Sequence, residues 1–255
     1  MNRMKVIVAP GFMTLVQELH QLPRLFGQQG QLLYDGRNRV KAITLAGTPV
    51  VVKRFKRPNI IQRVVYTFFK KSKAERAYRY AAMMRQRGVL TPQEVAYVEI
   101  SRHGLLADCY FVSLPCHLPP LSSLLRRADF DRGVARQLGV AVARWHEVGV
   151  LHGDLNLTNI LYEQDHRGHC RFWLIDTNRS TFDHATYLSC VNNIMRLSHD
   201  RPLLQYVVAA YSETRGWDTE KTVADVMRCL EYFEQHKHRV GVVKRCFKTL
   251  MGKNQ

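Results

Sequence analysis

The spacing of apolar and polar positions divides the chain into a strand-rich first part and a helix-rich second part. Between residues 31 and 55, QLLY, RVKAITL and PVVVKRF read as three strands. The turn residues Asp35, Gly36, Arg37 and Asn38 separate the first two, and Ala46, Gly47 and Thr48 the next. In the segment RPNIIQRVVYTFFKKSK, Ile61, Val64, Val65, Phe68 and Phe69 fall close to helical spacing. A helix is expected from about Ser72 to Arg87, and Thr91-Pro92 then breaks the chain. EVAYVEI and LLADCYFVSL predict a hairpin turning at residues 101–104. Over residues 129–148, Val134, Leu138, Ala141, Val142, Trp145 and Val148 share one face of an amphipathic helix. LHGDLNLTNILYE reads as a loop entering a short strand, CRFWLID as a further strand, and roughly the last 70 residues as helices. No internal repeat or low-complexity segment interrupts this order.

The order predicts an α+β protein of two lobes, a small β-rich N-lobe and a larger helical C-lobe, hinged near residues 113–120. Residues 1–30 are expected to be an N-terminal extension, 31–116 the N-lobe, and 117–255 the C-lobe with a helical tail. At 255 residues and 46% hydrophobic content the chain can bury a core. Six scattered cysteines without a CxxC pair suit free thiols in a reducing compartment. The apolar runs are too short to span a bilayer, and MNRMKVIVAPGF lacks the apolar stretch of a secretory signal. A cytoplasmic protein is therefore expected.

Charge changes that picture. The formal net charge is +17, and it is local. Residues 53–87 hold 12 Lys/Arg against the single acid Glu75, and residues 236–255 hold six and no acid. The rest of the chain is neutral. Both basic stretches are interleaved with apolar residues: Val240, Val243, Phe247, Leu250 and Met251 form one arc of the tail beside Lys244, Arg245 and Lys248. Basic amphipathic helices of this kind suit an anionic membrane surface, although a solvated helix face explains either patch alone equally well. Nucleic acid is the third choice, because no nucleic-acid-binding motif accompanies the patches.

The candidate chemistry lies in three places. His152-Gly153-Asp154 is followed by Asn159, five positions beyond the aspartate. Asp176 ends the apolar strand Phe172–Ile175, and Lys53 ends the apolar run Val50-Val51-Val52. Phosphoryl transfer needs these types of residue: a lysine on the nucleotide phosphates, an aspartate to orient the acceptor hydroxyl and take its proton, and an Asn and Asp to hold Mg2+. Each piece alone is weak, but the ordered set is specific.

The set resembles the protein-kinase-like superfamily, with an HGDLN catalytic loop closer to small-molecule kinases than to protein kinases. Through VVKRFKRP, SKAERAYRYAAMMRQRGVLTPQEVAYVE, LHGDLNLTNIL and LIDTNRS it is similar to the bacterial lipopolysaccharide kinases that phosphorylate Kdo or heptose of the inner core. The resemblance spans roughly residues 31–200 and implies ATP and Mg2+ as cofactors. It further implies a lipid A-core glycolipid as acceptor, at the cytoplasmic face of the inner membrane. By position it implies Asp154 as catalytic base and Lys53 on the α/β-phosphates, paired with Glu75. Asn159 and Asp176 would be the metal ligands. The strand turn at Gly36 and Arg37 would cover the phosphates. With only one glycine there, Arg37 or Arg39 would compensate by charge, and Arg179 could serve the γ-phosphate in place of the lysine that protein kinases carry where Asn156 stands. Thr177-Asn178 after the metal aspartate leaves no Phe-in/Phe-out switch. A protein kinase is the rival enzyme, and a membrane-docking pseudokinase the rival without activity.

Other features have plainer explanations. Ser72 and Glu75 form a capping box, which competes with the Lys53 pairing. His152 braces its loop. Asp165, His166, His169 and Cys170 sit in a solvated hairpin turn, and Asp183 with His184 is expected to begin a helix. Trp145 and Trp173 are expected in the core.

Overall fold

The computed structural model describes residues 3–126 and 129–251, with side chains as far as residue 239, and the chain divides into two units. The first unit takes in the chain through Pro119 together with His152–Asp154 and Trp173–Phe182. Its frame is a six-stranded antiparallel sheet of β1 (Arg3–Val8), β2 (Gln31–Asp35), β3 (Arg39–Leu45), β4 (Thr48–Arg54), β5 (Glu94–Arg102) and β6 (Leu105–Ser113). The strand order is β1-β5-β6-β4-β3-β2. The predicted strands and hairpins are all present.

The first thirty residues are not an appendage. β1 pairs along its length with β5, Val6 opposite Val98. After a 3-10 segment, Pro10–Leu15, the chain forms α1 (Val16–His20) and α2 (Leu22–Gln28). Leu15, Leu19, Leu22 and Phe26 from this stretch bury against Val52, Val98 and Val112 of the sheet. Side chains alternate across a strand, so the neighbours Tyr97 and Cys109 face the other side. There they meet Ala74 and Ala77 of α4 (Lys73–Gln86). Between β4 and α4 lies α3 (Ile60–Phe68), capped by Asn59, whose side chain accepts from the Gln62 amide.

The second unit contains α5 (Ser122–Leu125), α6 (Arg132–Glu147), β7 (Ile160–Gln164), the first three residues of its partner β8 (Cys170–Leu174), α7 (Tyr187–Ile194), α8 (Arg201–Arg215) and α9 (Thr219–Met251). α6 buries Val134, Leu138, Val142 and Trp145, as its spacing predicts, while Ala141 is only half-buried and Val148, expected on the same face, lies at the helix end and is 44% exposed. Gly139 allows α8 to approach it closely, since a Cβ there would lie 2.9 Å from the Ala210 Cβ. His146 is buried between Tyr211 Oη (2.9 Å) and Asn193 Oδ1 (3.0 Å), and burial pushes its pKa down to about 4. It is a neutral core histidine.

Several smaller expectations change. The helix expected at Asp183 begins instead at Tyr187, where the Thr186 side chain accepts from the Ser189 amide. Trp173 is only half-buried. The turn at Asp165 is held by its own carboxylate, which accepts from the Arg167 and His169 amides. Among the described residues no group of three His, Cys, Asp or Glu side chains is placed to hold a metal. Five cysteines are free thiols; burial pushes that of Cys109 up to about 12, so it is unreactive. Cys246 and the apolar arc at Val240–Met251 lie outside the described side chains. Among the described residues no helix is long and apolar enough to cross a membrane.

Candidate active site

β4 sends Val50 and Val52 into the sheet core, so Lys53 emerges on the opposite face. Its ammonium lies 2.8 Å from Asp176 Oδ1 and 5.2 Å above the Phe55 ring. The two residues stand 123 positions apart in the sequence and meet inside one unit. Burial alone would push the Asp176 carboxyl up. The Lys53 ammonium in contact with it, helped by Arg179, outweighs burial and holds it below the usual carboxylate range.

The expected pairing of Lys53 with Glu75 is not what forms. Ser72 caps α4 by accepting from the Glu75 amide at 3.0 Å. The buried Glu75 carboxylate receives Arg79 Nε at 2.8 Å, one turn along, and Lys5 Nζ of β1 at 3.8 Å. β1, set apart from the lobe by the sequence reading, supplies the competing cation. Glu75 therefore ties α4 to β1.

His152, Gly153 and Asp154 are locked to the segment that carries Asp176. His152 Nε2 donates to the Ile175 carbonyl at 2.9 Å, while its Nδ1 accepts from the Asp154 amide at 3.3 Å. That pair of bonds requires the neutral Nε2–H form, and burial pushes the histidine pKa down in agreement. The expected bracing role is the observed one. Gly153 passes so close to Arg179 that a Cβ would sit 2.6 Å from the Arg179 carbonyl carbon. Arg179 Nη1 in turn reaches Asp154 Oδ2 at 3.5 Å.

Asp176 adopts the left-handed conformation (φ 61°, ψ 45°) and accepts from the Asn178 side-chain amide. Aspartate tolerates this region better than most residues, and such geometry concentrates at functional sites. α4 holds the same segment from the side. Thr177 Oγ1 donates to the Ala77 carbonyl at 3.4 Å, and Thr91 Oγ1 to the Leu174 carbonyl at 2.7 Å. Phe182 packs 5.0 Å from the Tyr80 ring and beneath the Arg87 guanidinium at 5.2 Å. These anchors hold the chain on both sides of Asp176 against α4 and the segment that follows it.

In the β2–β3 turn, Gly36 lies beneath the Tyr34 ring, with no room for a Cβ. Arg39 is taken by Asp35 at 2.8 Å. Of the two arginines expected to replace a glycine-rich loop, Arg37 is the one left for phosphate. Beside it stand two cations that motif reasoning missed, Lys73 and Arg76 at the start of α4. Burial lowers the Lys73 pKa, and the guanidiniums of Arg37, Arg179 and Arg76 push it the same way. The Arg76 Nε is buried with no hydrogen-bond partner. Like charges gathered in this way suit a multiply charged anion. The signal available in sequence was only that Lys73 and Arg76 share the first turn of a helix with a single acid.

Asn159 lies in the second unit, where its amide donates to the Asn156 carbonyl at 3.0 Å. The Asn156 side chain accepts from the Thr158 amide at 3.0 Å, which shapes the turn. A divalent ion, implied by the kinase-like family, fits the chemistry at Asp176: an ionised carboxylate already neutralised by a cation, and hard oxygen donors of the kind magnesium prefers. Asp176 would hold the ion, which would neutralise charge on the transferring phosphoryl group.

An ammonium–aspartate pair, a second aspartate on a histidine-braced loop, and a six-stranded sheet with a packed helix define a phosphotransferase of the protein-kinase-like class. The chain belongs to the lipopolysaccharide kinase (Kdo/WaaP) family, whose model matches residues 56–210. It is 25% identical over 166 residues to a 3-deoxy-D-manno-octulosonic acid kinase of Vibrio cholerae, covering 62% of this chain and 68% of that one. A 3-deoxy-D-manno-octulosonic acid kinase of Actinobacillus succinogenes is 24% identical over 169 residues, with 62% and 70% covered. Among solved structures, WaaP in complex with acyl carrier protein superposes with a TM-score of 0.62 at 15% identity, covering 92% of this chain and 98% of that one. The amicoumacin kinase hAmiN, in complex with AMP-PNP, Ca2+ and Ami, gives 0.54 at 12% identity, with 87% and 86% covered. The protein is a lipopolysaccharide core kinase.

Proposed function

We propose that the chain transfers the γ-phosphoryl group of ATP to a hydroxyl of Kdo in the lipopolysaccharide inner core, at the cytoplasmic face of the inner membrane. The observation that carries this reading is the gathering of Lys53, Asp154, Asp176 and Arg179 in one unit through two ion pairs, Lys53–Asp176 and Arg179–Asp154. Two observations favour Kdo over heptose. The curated relatives are named for Kdo, and Kdo carries a carboxylate, which suits Lys73 and Arg76 as a neutral heptose would not. The lipid-linked acceptor accounts for the basic, apolar stretch at residues 53–87.

In this reading Lys53 and Arg37 bind nucleotide phosphate oxygens. Asp154 accepts a hydrogen bond from the acceptor hydroxyl, aims its oxygen in line and takes its proton late, because an aspartate carboxylate is a weak base. Arg179 holds Asp154 in place until the phosphoryl oxygens compete for it. Positioning and charge neutralisation supply most of the rate.

The test is mass spectrometry of lipid A-core from cells with and without the protein. One additional phosphate on the Kdo fragment is the expected result. Its appearance on heptose would overturn the choice of sugar, and no difference would overturn the acceptor class. Within the site, Arg76→Ala is expected to raise KM for the acceptor about tenfold, in line with the loss of a charge-assisted bond, and to leave KM for ATP within about twofold. Equal rises in both would assign Arg76 to the nucleotide instead.

A further inference from the structure

We infer that α3 is a membrane-docking helix, which lays Ile60, Ile61, Val64 and Phe68, with Phe69 beyond its end, into an anionic phospholipid surface. The helix is mounted with its polar side inward. Arg63 Nε donates to the Leu106 carbonyl at 2.9 Å and its Nη2 to the Arg102 carbonyl at 3.1 Å. One turn on, Thr67 Oγ1 accepts from the Leu106 amide at 3.0 Å and donates to the Arg63 carbonyl at 2.7 Å. Two polar side chains thus clamp both backbone groups of Leu106 and fix the rotation of the helix about its axis.

At about 100° per residue, Ile60, Val64, Phe68 and Ile61 follow one another around the remaining arc. Their exposure is 61% for Ile60, 72% for Ile61 and 68% for Phe68, and Phe69 reaches 78%. No residue of α3 is buried. A helix on a globular protein normally turns its apolar arc to the core, and a contiguous apolar patch facing water marks an interaction surface. Charge selects the occupant. Lys56 precedes the helix and Lys70 and Lys71 follow it, all three exposed, and no acid occurs between residues 53 and 74. Apolar side chains ringed by lysines match the boundary between anionic headgroups and acyl chains. A second copy of the chain would bring the same lysines against one another.

This deepens the proposed function, on whose lipid-linked acceptor it rests for its biological setting. The experiment is co-sedimentation of the full chain with vesicles of phosphatidylcholine, alone or mixed with phosphatidylglycerol. The wild type is expected to bind the mixed vesicles, and added salt to weaken that binding. The double variant Ile61→Ser/Phe68→Ser, and separately Lys70→Glu/Lys71→Glu, should each bind about tenfold more weakly. All four side chains are exposed, so thermal unfolding and phosphorylation of a water-soluble, deacylated core acceptor should stay at wild-type values. Asp154→Asn should bind vesicles as the wild type does. Unchanged binding by the serine variant, absence of wild-type binding, or a wild-type dimer dispersed by that variant would each overturn the inference. Vesicle binding without any phosphorylation of the soluble acceptor would leave it standing and remove the kinase reading instead.

Discussion

Asp154→Asn will lower kcat for phosphorylation of the core sugar by about a hundred- to ten-thousand-fold while nucleotide affinity stays near wild type. The substitution keeps the size of the side chain, so the loop it sits on has no steric reason to move. It removes the carboxylate proposed to take the acceptor's proton, which Arg179 reaches at 3.5 Å. The groups assigned to the nucleotide remain in place, with Lys53 still 2.8 Å from Asp176 on the far side of the braced loop. The measurement is steady-state kinetics with the deacylated acceptor, alongside calorimetric titration of an ATP analogue. A variant that retains turnover would show that another group takes the proton. One that loses nucleotide binding equally would show that Asp154 holds the nucleotide and not the acceptor.

How far the sequence could carry this reading varied with the kind of interaction. The strands from β2 to β6 were legible because alternation and turn residues are local properties. That Lys53, Asp154 and Asp176 belong to one unit was legible because the type and order of such residues are constrained together. Ser72 was legible as the cap of α4, but the Glu75 carboxylate, expected on Lys53, takes Arg79 and Lys5 instead. Its partner was not legible, because Lys5 comes from a strand that buries little of its surface and leaves a weak alternation: Val6 and Val8 are only half-buried. Lys73 and Arg76 stood among many bases, and nothing in a run of positive charge says which members converge. For α3 the apolar arc was plain from spacing, yet which side faces the protein depends on Arg63 and Thr67 finding the backbone of Leu106, a contact made across about forty residues. Electrostatic partnership and helix rotation are properties of the folded whole.

Gly153→Ala is expected to lose most of the activity and to lower the melting temperature, although alanine adds a single methyl group. Gly153 has an ordinary backbone conformation, so the reason is the space beside it and not strain in φ. A Cβ would lie 2.6 Å from the carbonyl carbon of Arg179 and 2.7 Å from its Cβ. Backbone cannot swing aside as the tip of a flexible side chain can, so the loop and the Arg179 segment must separate. Overpacking of this kind costs about 1–3 kcal/mol, which for a chain of this size corresponds to a fall in melting temperature of roughly 2–4 °C per kcal/mol. The larger effect falls on chemistry. Separating the two segments disturbs the His152–Ile175 bond and the Arg179–Asp154 pair together, and these hold the base in register with Asp176. Gly27→Ala is the matched control, because a Cβ there meets nothing within 4 Å and its place in α2 favours alanine. It should melt at or above the wild-type temperature with unchanged kinetics. If Gly153→Ala behaved like the control, the close approach of the catalytic loop to Arg179 would not be what aligns Asp154.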